Sequence, residues 1–128
     1  MTDLALWPIG NCQVSALVDA SAGFVWGCAP RVDGDPLFCS LLEPKGESER
    51  PRGEWRLALE NQVGVEQHYL RNTPILVTRL TDGDGGVAEI FDFCPRFLRS
   101  GRMYRPVALT HKPESPQRFT GWPTCASW

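Results

Sequence analysis

Short runs of apolar residues alternate with polar ones along most of the chain, and glycine or proline separates one run from the next. In "EWRLALE", Trp55, Leu57 and Leu59 point one way while Arg56 and Glu60 point the other, the two-residue period of a strand covered on one face. "NCQVSALVD" and "FVWGCAP", joined by the turn "ASAG", predict a hairpin over residues 11–30.

Further strands are predicted for "GVEQHYL", "ILVTRLT", "VAEIFDFCP" and "MYRPVALT". "DGDGG" is a hairpin turn, because glycine readily adopts a left-handed φ. In "VAEIFDFCP", Ala88, Ile90, Asp92 and Cys94 share one face, and we expect Asp92 to accept hydrogen bonds from a neighbouring loop or from Arg96. The pattern predicts seven or eight antiparallel strands in an all-β fold. An antiparallel β-sandwich buries such one-sided strands, and a small closed barrel is the alternative.

One segment changes from the strand period to a helical one. In "DGDPLFCSLLEPKG", Asp35 is a good N-cap, Pro36 suits the first helical position, and Phe38, Leu41 and Leu42 form one apolar face. One short helix of one or two turns is therefore predicted.

The last segment, "HKPESPQRFTGWPTCASW", has three prolines and no period, so residues 111–128 are expected to be irregular. The length of 128 residues suits a single domain, which we place at residues 1–110.

Charge and hydropathy narrow the possible partners. The net charge is −2, from 13 basic and 15 acidic residues, and no basic stripe indicates nucleic-acid binding. The densest basic group is read as a solvated loop; it consists of Arg96, Arg99, Arg102 and Arg105. The opening "MTDLALWPIGNC" does not resemble a signal peptide, and no apolar run approaches the ~20 residues of a membrane helix. We therefore expect neither nucleic acid nor membrane as a partner.

The cysteines do not form a recognisable metal-binding pattern. There are five, an odd number, with no C-x-x-C pair, and only His68 and His111 could join them. Most lie in apolar segments, so buried reduced thiols are the simpler interpretation, which indicates a cytoplasmic setting. We expect no metal and no cofactor. The cysteines are Cys12, Cys28, Cys39, Cys94 and Cys125.

The most distinctive polar feature is an Arg-x-Asp pair on the bend after a tryptophan strand. Arg31 and Asp33 either hold the bend in shape or face a sugar on which Trp26 could stack, and the first interpretation is favoured. A role at a domain interface is a third possibility. Trp55 and Trp26 are expected in the core by their alternation, and Trp7, beside a proline, is expected to be exposed.

The order of motifs resembles the N-terminal, trehalase-like domain of bacterial glycoside hydrolase family 15 proteins. The resemblance is carried by "IGNCQVSALVD", "FVWGCAPRVDGDPLFCSLL", "GEWRLAL", "QHYLRNTPILVTRL" and "EIFDFCPR", and covers about residues 3–110. Val32 stands where the family usually has phenylalanine, and Gly27 where a bulky residue is common. The resemblance stops near Thr110, so a truncated domain is expected, and whether residues 111–128 are a frame-shifted tail stays open.

The resemblance implies a supersandwich-like β-sandwich that packs on a helical (α/α)₆ catalytic domain acting on α-glucosides such as trehalose or malto-oligosaccharides. Family members resemble inverting glycosidases, whose acid and base stand about 6.5–9.5 Å apart. Both are glutamates on the helical barrel, so neither has a counterpart here. No carboxylate pair in this sequence replaces them, and the resemblance implies a non-catalytic accessory domain.

Two other functions remain open. A free-standing carbohydrate-binding module would show an exposed strip of aromatic side chains, and a small-ligand β-barrel would need a deep apolar cavity. The accessory domain would instead show an exposed apolar patch where its helical partner sits.

Overall fold

A computed structural model describes residues 5–42 and 53–115, and all its sheets are antiparallel. The first sheet has the strand order β1 (Trp7–Gly10), β2 (Ser15–Val18), β3 (Phe24–Ala29) and β4 (Asp35–Phe38). Each strand pairs with the one before it, so the sheet is a meander. The predicted hairpin over residues 11–30 corresponds to β2 and β3.

The second sheet also has four strands. β5 (Gln62–Tyr69), β6 (Leu76–Asp82) and β7 (Val87–Phe93) are successive neighbours, and a last strand, β10 (Thr110–Glu114), lies against β7. The predicted glycine turn joins β6 to β7, where Gly85 has a φ of 84°.

The two sheets pack face to face around a shared apolar core. The larger buried cluster combines Ile9, Val18 and Phe24 of the first sheet with Leu76 of the second. A smaller cluster joins Ala22 and Leu57 to Leu80 and Ile90. The chain is thus an all-β, sandwich-like fold, as the alternation predicts.

A two-stranded hairpin projects between β7 and β10. Its strands are β8 (Phe97–Arg99) and β9 (Arg102–Tyr104), and every residue of both is exposed. This element and β10 raise the strands to ten in the described part of the chain, more than the seven or eight predicted.

The predicted short helix is wrong. Asp35–Phe38 form the edge strand β4, and only Ser40–Leu42 make a single 3₁₀ turn. Phe38 pairs with Gly27, and its ring lies edge-on to Phe24 at 5.6 Å. Burying this ring over the core outweighs the local helix signals, and an edge strand tolerates Pro36.

Two further sequence boundaries need correction. "EWRLALE" is not a full strand: Trp55 makes an isolated bridge to Phe24, although Leu57 is buried as the alternation predicts. At the other end, β10 extends to Glu114, into the segment expected to be irregular. Residues 116–128 lie outside the described residues.

Candidate functional site

The Arg-x-Asp pair lies in the turn between β3 and β4. Arg31 donates from Nε to Asp33 Oδ1 at 3.1 Å and from Nη2 to Oδ2 at 3.3 Å, while Gly34 N donates to the Arg31 carbonyl at 3.0 Å. The two side chains are 69% and 67% exposed. The pair is therefore a surface ion pair within one turn, a geometry suited to holding the bend in shape.

We expect Arg31→Ala to change the free energy of unfolding by less than about 1 kcal/mol, because water screens so exposed a pair. Urea unfolding followed by tryptophan fluorescence measures this. A loss well above that value would show that the pair holds more than its own turn.

Trp26 does not belong to the core as its alternation with Phe24 predicts. A bulge at Val25 lets Phe24 pair with Val18 and Trp26 pair with Leu17, so the two rings lie on opposite faces of β3. Trp26 is half-buried. The three predicted site residues thus divide between a sheet face and a turn.

The two other tryptophans with a predicted position also differ in part from expectation. Trp7 is half-buried rather than exposed, with its ring edge-on to Tyr69 at 5.3 Å. Trp55 packs against the larger core cluster as predicted.

A buried asparagine links the β1–β2 turn to both stems of the projecting hairpin. Asn11 is 2% exposed, and its Nδ2 donates to the carbonyls of Pro95 at 2.8 Å and Pro106 at 2.9 Å. Its Oδ1 accepts from the backbone nitrogens of Gln13 at 2.9 Å and Val14 at 3.1 Å. All four bonding positions of the amide are therefore used.

The same turn also contacts the Arg-x-Asp turn. Gln13 Nε2 donates to the carbonyl of Pro30 at 3.3 Å. The β1–β2 turn, the β3–β4 turn and the stems of the hairpin therefore form one continuous end of the sandwich. Asparagine at a turn is a common sequence signal, but its partners, 84 and 95 residues away, cannot be inferred from it.

The hairpin itself exposes apolar and cationic side chains together. Leu98 is 71% exposed, and Phe97, Met103 and Tyr104 are 43–47% exposed. The rings of Phe97 and Tyr104 lie edge-on at 5.3 Å, and the Arg99 guanidinium lies 5.7 Å from the Tyr104 centroid. Large exposed apolar groups on adjacent strands are typical of an interaction site.

A titratable pair is buried between the sheets. Asp92 Oδ1 lies 2.5 Å from His111 Nδ1, with side chains 0% and 7% exposed. Burial raises the pKa of Asp92, although the hydrogen bond and charge of His111 act to lower it. Asp92 Oδ2 and His111 Nε2 have no hydrogen-bond partner among the described residues. The expected partner, Arg96 or a loop, is replaced here by the neighbouring strand β10.

A second polar cluster lies by the β2–β3 turn, at the end of the sandwich opposite the hairpin. Arg56 Nη2 contacts Asp19 at 2.6 Å and Glu54 at 3.1 Å. Burial tends to lower the pKa of Arg56. The hydrogen bonds to Glu54 and Asp19 raise this pKa by a larger amount, so the guanidinium stays charged. A Cβ on Gly23 would lie 2.7 Å from Arg56 Nη2, so glycine lets this side chain cross the turn.

Two carboxylates and one thiol among the described residues are held in structural contacts. Asp82 caps its own turn by accepting from the backbone nitrogens of Asp84 and Gly86, and Asp92 is enclosed with His111. Burial raises the pKa of Cys94 to about 11, so this thiol is a poor nucleophile.

The thiol prediction holds only in part. Cys28 and Cys94 are buried free thiols, but Cys12 and Cys39 are exposed, and Cys125 lies outside the described residues. Within residues 5–42 and 53–115, no three His, Cys, Asp or Glu side chains are grouped to hold a metal ion.

No family model, curated protein or solved structure matches this chain. Among the described residues, no helix is long and apolar enough to cross a bilayer.

Proposed function

We propose that this chain is a non-catalytic accessory β-sandwich domain of a family 15 type glycoside hydrolase. Its role is to pack on a helical (α/α)₆ catalytic domain, stabilise that domain and shape one side of its active site. From the resemblance, the complete enzyme acts on α-glucosides such as trehalose or malto-oligosaccharides. Its expected setting is the cytoplasm, where the thiols of Cys28 and Cys94 stay reduced.

The observation that carries this proposal is the exposed apolar hairpin β8–β9, fixed at its base by Asn11. An accessory domain that buries one surface against a partner exposes such a patch when it is alone. Two motifs that carry the resemblance lie at the base of this hairpin. "IGN" enters the β1–β2 turn, and "EIFDFCPR" leads from β7 into the hairpin. Arg31 and Asp33 sit at the same end, where they are available to the partner.

The test is to titrate the purified chain with trehalose and with maltotetraose, and separately with a helical family 15 catalytic domain from the same genome, produced without its own β-sandwich. Calorimetry should show binding to the catalytic domain and no saturable heat with either sugar. The chain alone should release no glucose from either sugar. Saturable sugar binding without the catalytic domain would instead establish a free-standing carbohydrate-binding module.

A further inference from the structure

We infer that the β8–β9 hairpin is a docking arm for an apolar protein groove bordered by carboxylates. The inference rests on the proposed function, under which this groove lies on the helical catalytic domain. It adds the chemical character of that surface and the residues that recognise it.

The first support is the separation of charge along the chain. Residues 95–109, the hairpin and its stems, contain four arginines and no acidic residue. The rest of the chain has nine basic against 15 acidic residues. A cationic arm on an acidic domain selects an acidic partner surface, because complementary potentials speed correct encounters and like charges oppose wrong ones.

The second support is the kind of side chain on the arm. Phe97, Met103, Tyr104 and the arginines are residue types enriched at protein interfaces, whereas lysine, which is depleted there, is absent from residues 95–109. Arginine suits such a position because its planar, weakly hydrated guanidinium forms paired hydrogen bonds with carboxylates. This composition favours a protein over a lipid surface.

The third support is the order of the arm before any partner binds. Asn11 holds the Pro95 and Pro106 carbonyls, and Tyr104 contacts both Phe97 and Arg99. A hairpin fixed at its base and along one face loses little conformational entropy on docking, so more of the contact energy remains as affinity. The arm is thus built to dock without refolding.

The experiment compares charge and apolar variants of the arm in binding to the catalytic domain described above. Arg99→Glu and Leu98→Ser should each weaken binding about tenfold or more. The matched control is Arg71→Glu, at an exposed arginine in the β5–β6 turn, which should leave affinity unchanged. Raising sodium chloride from about 50 to about 300 mM should weaken wild-type binding and have less effect on Arg99→Glu. Urea unfolding of each variant verifies that the sandwich is intact.

The outcomes separate the two proposals. If the chain binds the catalytic domain but the arm variants bind as tightly as Arg71→Glu, the docking arm is wrong while the accessory function stands. If the wild-type chain does not bind the catalytic domain, the accessory function fails, and the inference fails with it. Binding to phosphatidylserine vesicles or self-association on sedimentation, abolished by Arg99→Glu, would reassign the arm to a lipid surface or a second copy and overturn the proposed partner.

Discussion

Replacing His111 by phenylalanine is expected to destabilise the domain by about 3–5 kcal/mol, the cost of leaving one member of a buried pair without its partner. Phenylalanine retains a ring facing Phe24 and Trp55, whose rings lie edge-on to His111 at 5.4 Å and 6.2 Å. The loss of stability therefore arises mainly because the buried carboxyl of Asp92 has lost its partner, and not because a cavity has formed. Urea unfolding followed by tryptophan fluorescence measures it.

The control is His68→Phe, since His68 is exposed on the edge strand β5 and should tolerate the change within about 0.5 kcal/mol. The double variant Asp92→Leu with His111→Phe should recover much of the lost stability, because an apolar pair leaves no buried charge unpaired. Equal stability of His111→Phe and His68→Phe would show that the buried pair contributes nothing to folding.

The stability of the His111→Phe variant should also depend on pH in a characteristic way. Burial already raises the pKa of Asp92, and removing His111 removes the two influences that lower it, so the folded-state pKa rises further. Below the unfolded-state pKa of about 4, the carboxyl is neutral in both states and its burial costs little. As pH rises through the higher folded-state pKa, the buried carboxylate must ionise and stability is lost. The deficit of His111→Phe relative to wild type should therefore be large near neutral pH and shrink as pH falls toward about 4.

Replacing Asn11 by alanine should cost about 2–4 kcal/mol, because the carbonyls of Pro95 and Pro106 and two backbone nitrogens lose their partners together. The midpoint of urea unfolding should fall accordingly, and amide hydrogen exchange in the hairpin should become faster than in wild type. Asn61→Ala, at an exposed position, is the matched control.

Asn11→Asp divides the role of the amide into its two halves. The carboxylate still accepts from Gln13 and Val14 but cannot donate to Pro95 and Pro106. We expect it to loosen the hairpin while leaving the β1–β2 turn closed. If the amide hydrogens of the hairpin exchange at the wild-type rate in both variants, Asn11 does not fix the arm.

The parts of the fold that depend on local pattern could be predicted. The apolar and β-branched composition of "ILVTRLT" and the alternation in "VAEIFDFCP" predict β6 and β7, and the glycine turn between them follows from the backbone freedom of glycine. The prediction that Ile90 and Asp92 share one face of β7 is also confirmed, because side chains alternate regularly along a strand without a bulge.

The errors arose where tertiary pairing overrides local signals. Asp35 and Pro36 are good residues for the start of a helix. Phe38 instead pairs with Gly27 of β3, and the segment forms a strand. Trp26 was misplaced because one bulge residue reverses the parity of a strand, and sequence alternation cannot show the bulge.

The candidate site was predictable only in its local part. The Arg31–Asp33 contact spans two residues, so proximity in sequence indicated it. The Asn11 amide and the Asp92–His111 pair each join segments that only the finished sandwich brings together. Their residue types are ordinary at turns and strand ends, and no single-sequence pattern identifies their partners.

The span of the Asn11 contacts also has a consequence for assembly order. The amide belongs to the first strand connection, whereas its two acceptor carbonyls lie 84 and 95 residues later. These contacts can form only after both ends of the domain have come together, and closing so long a stretch of chain is entropically costly. Under the docking proposed above, a partner that binds the hairpin would engage the folded domain rather than a half-folded chain, and docking would then act as a check on maturation.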